Sequence, residues 1–177
     1  MTIAEAKSLL GNFRNGDRAE RWFDLGSGSG TFTRALAEGL PHGSAITAVE
    51  RARSAFGDLP RTHAGIAIDQ QVTDMEQLVI PAPVDGILMA NALHYVKDQR
   101  AFLQCILQRI VDDGTFLLVE YDTDRARPPW VPFPISGSRA KVLLAEAGFP
   151  EARHLGTRRS IHGPEMMYAT AFRRAGK

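Results

Sequence analysis

The chain has very little cysteine and no long apolar stretch. Cys105 is the single cysteine among 177 residues, so no disulfide can form within the chain and no thiolate cluster can bind a metal. No apolar run approaches the roughly 20 residues that span a bilayer, and residues 1–11 lack a signal-peptide pattern. We therefore expect a cytoplasmic protein with no metal site and no membrane partner.

Charge of one sign is not in excess either. The 21 basic and 20 acidic residues leave a net charge of +1, which provides no overall field to attract nucleic acid, and we expect no such partner. The hydrophobic content of 44% is that of an ordinary globular domain. We interpret residues 1–177 as one domain in which residues 1–20 form a short N-terminal extension.

The most informative stretch is residues 22–33, WFDLGSGSGTFT. An apolar run leads into Asp24, Gly26, Gly28 and Gly30 on alternate positions, and a helical pattern follows. Glycine is used where φ is positive or where the backbone must approach a ligand closely. The stretch therefore predicts a strand, a tight ligand-binding turn and a helix.

The spacing of the glycines indicates the kind of ligand. A dinucleotide fingerprint reads G-x-G-x-x-G, but here Thr31 stands where the third glycine would be, and Gly30 comes one place early. The carboxylate of Asp24, at the tip of the strand, suits an ammonium group better than a phosphate. The turn is thus expected to bind a zwitterion and not a pyrophosphate.

Together these residues resemble motif I of the class I S-adenosylmethionine (SAM) dependent methyltransferases, and the resemblance extends over nearly the whole chain. It implies SAM as cofactor. The alternation of strands and helices, closed by a terminal hairpin, predicts a doubly wound α/β fold. This matches the seven-stranded, mostly parallel sheet of that family, with its C-terminal antiparallel hairpin. Strands are expected at 21–25, 45–50, within 66–73, at 84–90, from 113 onward, at 152–157 and at 166–173.

Several acidic and polar side chains follow the predicted strands. Glu50 ends the second strand 20 residues after Gly30, where a carboxylate in such sheets holds a ribose diol. The resemblance implies that Asp74 and Met75 bind adenine, through the carboxylate and the backbone N–H respectively, with Asp69 as the rival acid. The other predicted cofactor-binding residues are Asp24, Gly26, Ser27, Gly28, Gly30 and Asn91.

The tips of the fourth and fifth strands are expected to face the methyl group. His94 is a candidate general base and Tyr121 a second candidate catalytic residue, although His94 could equally pack or cap the helix that starts near Asp98. Asn91 and Tyr95 begin and end the sequence NALHY. Because it is not N-P-P-Tyr/Phe, the motif that holds a nucleobase amino group in related enzymes, methylation of that kind is disfavoured.

A loop over residues 125–137, rich in proline and aromatic residues, is the only segment long enough to cover an acceptor. Trp130 and Phe133, with Tyr95, are the predicted substrate-binding residues, and Arg125, Arg127 and Arg139 could meet an anion. Because this cover is modest, we expect a partly open cleft, completed by the acceptor itself or by the second subunit of a homodimer.

Three functions are compatible with these patterns. The first is methyl transfer from SAM to an unidentified, small-molecule acceptor. The second is a SAM-binding sensor without turnover, which would use the same cofactor residues. The third, an NAD-binding oxidoreductase, is disfavoured by Asp24 and by the early third glycine.

Overall fold

The computed structural model describes residues 1–13, 16–81, 83–160 and 165–175. All seven predicted strands are present, and a further two-residue strand lies at one edge. The order in the sheet is β3-β4-β2-β1-β5-β6-β8-β7. The strands are β1 (Arg21–Leu25), β2 (Ala45–Glu50), β3 (Thr62–His63), β4 (Ile66–Val72), β5 (Val84–Ala90), β6 (Ile110–Tyr121), β7 (Glu151–Arg159) and β8 (Met166–Arg173).

The central strands are parallel, and the C-terminal pair is antiparallel. β1 pairs in parallel with β2 and with β5. On either side the parallel part continues, because β2 pairs with β4 and β5 pairs with β6. β8 runs antiparallel between β6 and β7. The predicted fold class is confirmed. The turn of the terminal hairpin, residues 161–164, lies outside the described residues.

Among the described residues, four α-helices cover the two faces of the sheet, namely α1 (Ile3–Leu10), α2 (Thr31–Ala37), α3 (Gln99–Leu107) and α4 (Gly137–Glu146). The core on one face contains α1 and α2, and the core on the other contains α3 and α4. Asp98 and Ser136 cap α3 and α4 by accepting a backbone N–H from Ala101 and Arg139. Within the described part of the chain, none of the helices is both long enough and apolar enough to cross a bilayer.

The crossovers after β2 and β4 carry no α-helix in their described residues. The first contains a short 3₁₀ helix, Arg53–Phe56, and the edge strand β3. In the second, Met75, Leu78 and Ile80 of a loop pack against the core instead. Loops therefore cover the sheet beside the carboxyl ends of β2 and β4.

The order in which successive strands are added to the sheet reverses at β1, because β2 and β5 lie on opposite sides of it. In open α/β sheets, ligands bind at the carboxyl ends of the strands at such a point. The predicted turn 26–30 follows β1, and Asn91 follows β5. The topology therefore brings the residues selected from the sequence to one edge of the sheet.

Candidate functional site

The glycine turn is fastened to β2 by backbone hydrogen bonds. The N–H groups of Gly26 and Ser27 both donate to the carbonyl of Val49, at 3.0 and 3.2 Å. The N–H of Gly28 donates to Oε1 of Glu50 at 2.7 Å. The predicted acid of the second strand thus lies directly against the predicted ligand turn.

The three glycines of the turn all have positive φ, of 75°, 53° and 79° for Gly26, Gly28 and Gly30, but they serve different purposes. A Cβ atom on Gly26 would lie 2.7 Å from Cβ of Ala92, and one on Gly30 would lie 2.4 Å from Cδ1 of Leu59. A Cβ atom on Gly28 would meet no atom within 4 Å. Gly26 and Gly30 are therefore required by packing, whereas Gly28 leaves space free in front of the turn.

A cleft of about 260 Å³ lies beside this turn, and we call it the turn cleft. Glu50 is half-buried in its wall, and Met75, which is 9% exposed, lies opposite the turn on the loop after β4. The lining residues are Gly26, Val49, Glu50, Arg51, Thr73, Met75, Asn91, Ala92 and Tyr95.

The two candidate adenine acids occupy different positions. Asp74 follows the carboxyl end of β4, and its Oδ2 lies 3.0 Å from Nη2 of Arg51, a residue of the turn cleft. Asp69 lies exposed in the middle of β4, opposite Thr47 of β2. The geometry favours Asp74, which is near the cleft without lining it, and its role toward adenine stays a prediction.

Three polar atoms around the turn are buried without a hydrogen-bond partner among the described residues: Oδ1 of Asp24, Oγ of Ser27 and Oδ1 of Asn91. Buried polar atoms are nearly always paired, so an unpaired group indicates a missing partner or a strained site. Asn91 also has a φ of 53°, unusual for a residue other than glycine. These features make the turn and the end of β5 the place where a polar ligand is expected.

Asp24 is more deeply placed than the sequence suggested. Its carboxyl group is 0% exposed and lies beneath the turn, where the hydroxyl of Thr33 donates to Oδ2 at 2.6 Å. Burial, assisted by the charge of Glu50, raises the pKa of Asp24 to about 7, although the Thr33 hydrogen bond opposes the shift. Asp24 does not line the cleft, so its expected contact with an ammonium group stays a prediction.

The raised pKa of Asp24 should make the protein less stable as pH rises. Between the unfolded value of 3.8 and about 7, the folded chain keeps a proton that the unfolded chain has lost, so the free energy of unfolding falls through this window. The loss should be on the order of 3 kcal/mol. Asp24→Asn should remove it, as measured by urea unfolding at pH 5 and pH 8. Asp69→Asn, at an exposed position, is the control, and parallel pH profiles for wild type and Asp24→Asn would contradict the assignment.

His94 and Glu120 form a buried pair at the ends of β5 and β6. Their side chains are 2% and 1% exposed, and Nδ1 of His94 lies 2.7 Å from Oε2 of Glu120. The carboxylate also accepts the backbone N–H groups of His94, at 3.1 Å, and of Tyr121, at 3.3 Å. With Nδ1 donating to this carboxylate, Nε2 is the ring nitrogen that can accept a proton.

A second cavity, of about 560 Å³, adjoins the turn cleft, and we call it the aromatic cavity. Asn91 and Tyr95 line both spaces. The residues that line it are Asn91, His94, Tyr95, Tyr121, Thr123, Arg125, Arg127, Trp130, Val131, Ser160 and Glu165. The predicted tips of the fourth and fifth strands thus meet in one space, while Arg139 does not line it.

Tyr121 and Tyr95 keep their protons at neutral pH. Burial raises the pKa of both hydroxyls, and the charge of Glu120 adds to the effect. A hydrogen bond with Ser160 partly opposes the shift at Tyr121. As a candidate catalytic residue, Tyr121 is therefore suited to donating a hydrogen bond and not to removing a proton.

The loop over residues 125–137 forms one wall of the aromatic cavity. Arg127 and Val131 exchange two backbone hydrogen bonds, of 2.8 and 2.9 Å, which hold Trp130 in a small hairpin where it is 74% exposed. The N–H of Phe133 donates to the carbonyl of His94 at 3.0 Å. Phe133 does not line the cavity, and through its backbone it connects the loop to the segment that carries His94.

Glu120 is the functional candidate that the sequence reasoning missed. It lies in the apolar run TFLLVEY of β6, and a carboxylate inside such a run is almost never fully buried unless it is paired. That mismatch is a local signal, but its partner His94 is 26 positions away and only the fold reveals the pair.

The chain matches a known family over nearly its whole length. The sequence profile described as a methyltransferase domain matches residues 3–171. No protein of curated function matches the chain in sequence. The profile is decisive for the family because it covers far more than half of the chain.

Solved structures share the fold at low sequence identity. An arsenic(III) SAM methyltransferase from Chlamydomonas reinhardtii superimposes with a TM-score of 0.71 at 16% identity, over 99% of this chain and 73% of that one. The 1,6-didemethyltoxoflavin N1-methyltransferase of Burkholderia thailandensis gives 0.71 at 19% identity, over 97% and 78%. A SAM-dependent methyltransferase from Leishmania major gives 0.71 at 21% identity, over 95% and 71%.

Fold, site and family agree on one class of enzyme. The NAD-binding oxidoreductase that the glycine spacing disfavoured does not fit a methyltransferase profile. The predicted fold and the predicted cofactor are confirmed. The chain therefore belongs to the methyltransferase-domain family and is a SAM-dependent methyltransferase.

Proposed function

We propose that the protein transfers a methyl group from SAM to a small molecule bound in the aromatic cavity. The observation that carries this proposal is that Asn91 and Tyr95 line both the turn cleft and the aromatic cavity. Methyl transfer needs donor and acceptor held in line at such a boundary. The cavity volume of about 560 Å³ lies in the range of small-molecule sites.

The residues around the turn fit SAM in chemistry and in shape. Gly28 leaves free space in front of the turn, and unpaired oxygens of Ser27 and Asn91 offer polar contacts. The carboxylate of Glu50 would accept the two ribose hydroxyls. Beneath the turn, the unpaired Oδ1 of Asp24 would accept a hydrogen bond from the ammonium group of the methionine portion, whose positive charge would favour the ionised carboxylate.

The adenine end is proposed to lie against the loop after β4. Met75 lines the turn cleft there, and Asp74 follows the end of the strand. The carboxylate of Asp74 would accept from the exocyclic amine, and the N–H of Met75 would donate to the ring. Arg51, paired with Asp74 at 3.0 Å, holds that carboxylate beside the cleft.

When bound, SAM supplies a methyl group already activated by its sulfonium, so the protein mainly aligns the acceptor. His94 lines the cavity, and we assign it as the base, since Glu120 fixes Nδ1 as the donor and leaves Nε2 to take a proton. The carboxylate of Glu120 would stabilise the imidazolium formed. Tyr121, protonated, can orient the acceptor by hydrogen bonding.

The names of several structural neighbours support a small acceptor. One is named as a mitomycin 7-O-methyltransferase, and another was solved with 1,6-didemethyltoxoflavin and S-adenosylhomocysteine (SAH) bound. Further neighbours also contain SAH. These acceptors belong to those proteins, and for this chain they support the size class only.

The cofactor assignment is tested at Glu50. Glu50→Ala should weaken SAM and SAH roughly ten- to a hundredfold, because a charged hydrogen-bond partner of a desolvated diol is worth about 1.5 to 3 kcal/mol. Calorimetric titration measures the affinity, and circular dichroism confirms folding.

Asp69→Ala is the matched control for Glu50, since it removes an exposed carboxylate from the neighbouring strand. Its affinity for SAM should equal that of wild type. A folded Glu50→Ala protein with wild-type affinity would refute the ribose assignment. SAM binding without transfer to any acceptor would favour the sensor function instead.

A further inference from the structure

We propose that the acceptor is a phenol that carries one carboxylate, and that Arg125 binds this carboxylate. The inference rests on the proposed function and adds the chemical class of the acceptor. It is drawn from the rings, the charges and the basic nitrogen that share the aromatic cavity.

Aromatic rings dominate the wall of the cavity nearest the boundary with the turn cleft. The ring centroids of His94 and Tyr95 lie 4.3 Å apart, and those of His94 and Tyr121 lie 5.8 Å apart. Tyr95 is 45% exposed and Trp130 is 74% exposed, so both present ring surface that nothing in the described chain covers. Flat apolar surfaces of this kind favour a planar aromatic ligand, through ring stacking.

The charges on the cavity wall do not cancel. Arg127 and Glu165 form a two-point ion pair across the cavity, with one contact of 3.0 Å, and neutralise each other. The guanidinium of Arg125 has no hydrogen-bond or ion-pair partner among the described residues. Arg125 is therefore a cationic side chain of the wall that no described anion pairs with, and it suits a ligand group with one negative charge.

The position of Arg125 separates the anion from the reacting group. Arg125 lines the aromatic cavity but not the turn cleft, whereas Asn91 and Tyr95 line both. The hydroxyl of Thr123 accepts the backbone N–H of Arg125 at 3.1 Å, which fixes the point where its side chain leaves the loop. Guanidinium and carboxylate groups pair in two-point geometry. The carboxylate of the acceptor is thus held away from the methyl group.

A hydroxyl group on the acceptor would use His94 as its base. The phenolic oxygen forms the new bond to the methyl carbon while the S–CH₃ bond breaks and its electron pair stays on sulfur. The proton of the hydroxyl passes to Nε2 of His94, the nitrogen left free by Glu120. Phenols lose their protons near pH 10, so a base beside the oxygen is needed at neutral pH.

Binding to the SAH-loaded protein tests the proposal without turnover. The probes are 4-hydroxybenzoate, 4-hydroxycinnamate and 6-hydroxy-2-naphthoate, each paired with its neutral carboxamide and titrated by calorimetry. At least one acid should bind wild type about tenfold more tightly than its amide. Arg125→Gln should weaken that acid about tenfold and leave the amide and SAH unchanged.

Arg139→Gln is the matched control, because Arg139 lies in α4, contacts the carbonyl of Pro134 and does not line the cavity. Arg139→Gln should leave the affinities for the acid and for the amide unchanged. Equal binding of acid and amide, equal weakening of both by Arg125→Gln, or no binding of any probe to a protein that binds SAH would overturn the acceptor class and leave the cofactor site standing. Failure to bind SAH would overturn the proposed function, and this inference with it.

Discussion

Gly28→Val is expected to abolish SAM and SAH binding in a chain that still folds. A Cβ atom at this position would meet no protein atom within 4 Å, so the valine side chain would project into the space that the methionine portion of the cofactor needs. The φ of 53° adds backbone strain of roughly 1 to 3 kcal/mol. Affinity should fall by more than about a hundredfold, measured by calorimetry, since both steric exclusion and loss of turn geometry act on the same contacts.

The control is Gly65→Val, which introduces similar backbone strain away from the turn cleft and the glycine turn. Gly65 has a φ of 79°, and an added Cβ atom would lie no closer than 3.9 Å to another atom, Cδ2 of His42. Both variants should lose similar amounts of stability in urea unfolding. Retention of wild-type SAM affinity in Gly28→Val would mean that Gly28 serves only to form the turn, and equal loss of affinity in both variants would point to a general effect of strain.

His94→Gln should lower kcat by about 10²- to 10⁴-fold with the affinity for SAM unchanged, which is the range for removal of a general base. The measurement uses labelled SAM and the best-binding hydroxy acid. Glu120→Gln should lower kcat as well, because the amide can still accept the backbone N–H of His94 but no longer stabilises its imidazolium.

The pH profile separates catalysis from packing. If His94 serves as the base, the pH dependence of kcat in His94→Gln should differ from that of wild type. A structural role alone would lower the melting temperature of His94→Gln and leave kcat at low temperature intact. That result would support the packing alternative left open by the sequence, and Tyr121 would become the remaining catalytic candidate.

The sheet and the turn could be predicted because their signals are local. Alternating and apolar runs identified seven strands, and Asp98 marked the start of a helix. β3 was missed because two residues carry no periodicity. The functional positions at strand ends, such as Glu50 and Asn91, could also be predicted, because the parallel topology brings strand ends to one edge of the sheet.

Features that depend on contacts between distant segments could not be predicted. The depth of Asp24 follows from its packing under the turn beside Thr33, and the role of Gly30 follows from Leu59, nearly 30 residues away. The sequence placed Phe133 in the acceptor wall by its apolar character alone. In the fold, Phe133 does not line the aromatic cavity. Its backbone N–H instead connects the loop to the carbonyl of His94.

The crossovers after β2 and β4, which carry no α-helix in their described residues, affect the local stability of the sheet. Helices shield a parallel sheet from water, and where loops replace them the local free energy of opening falls. These loops carry Arg51 and Met75, two walls of the turn cleft. A ligand that binds only when these loops are folded stabilises that state by mass action, so we expect SAM binding to protect this half of the sheet against local opening.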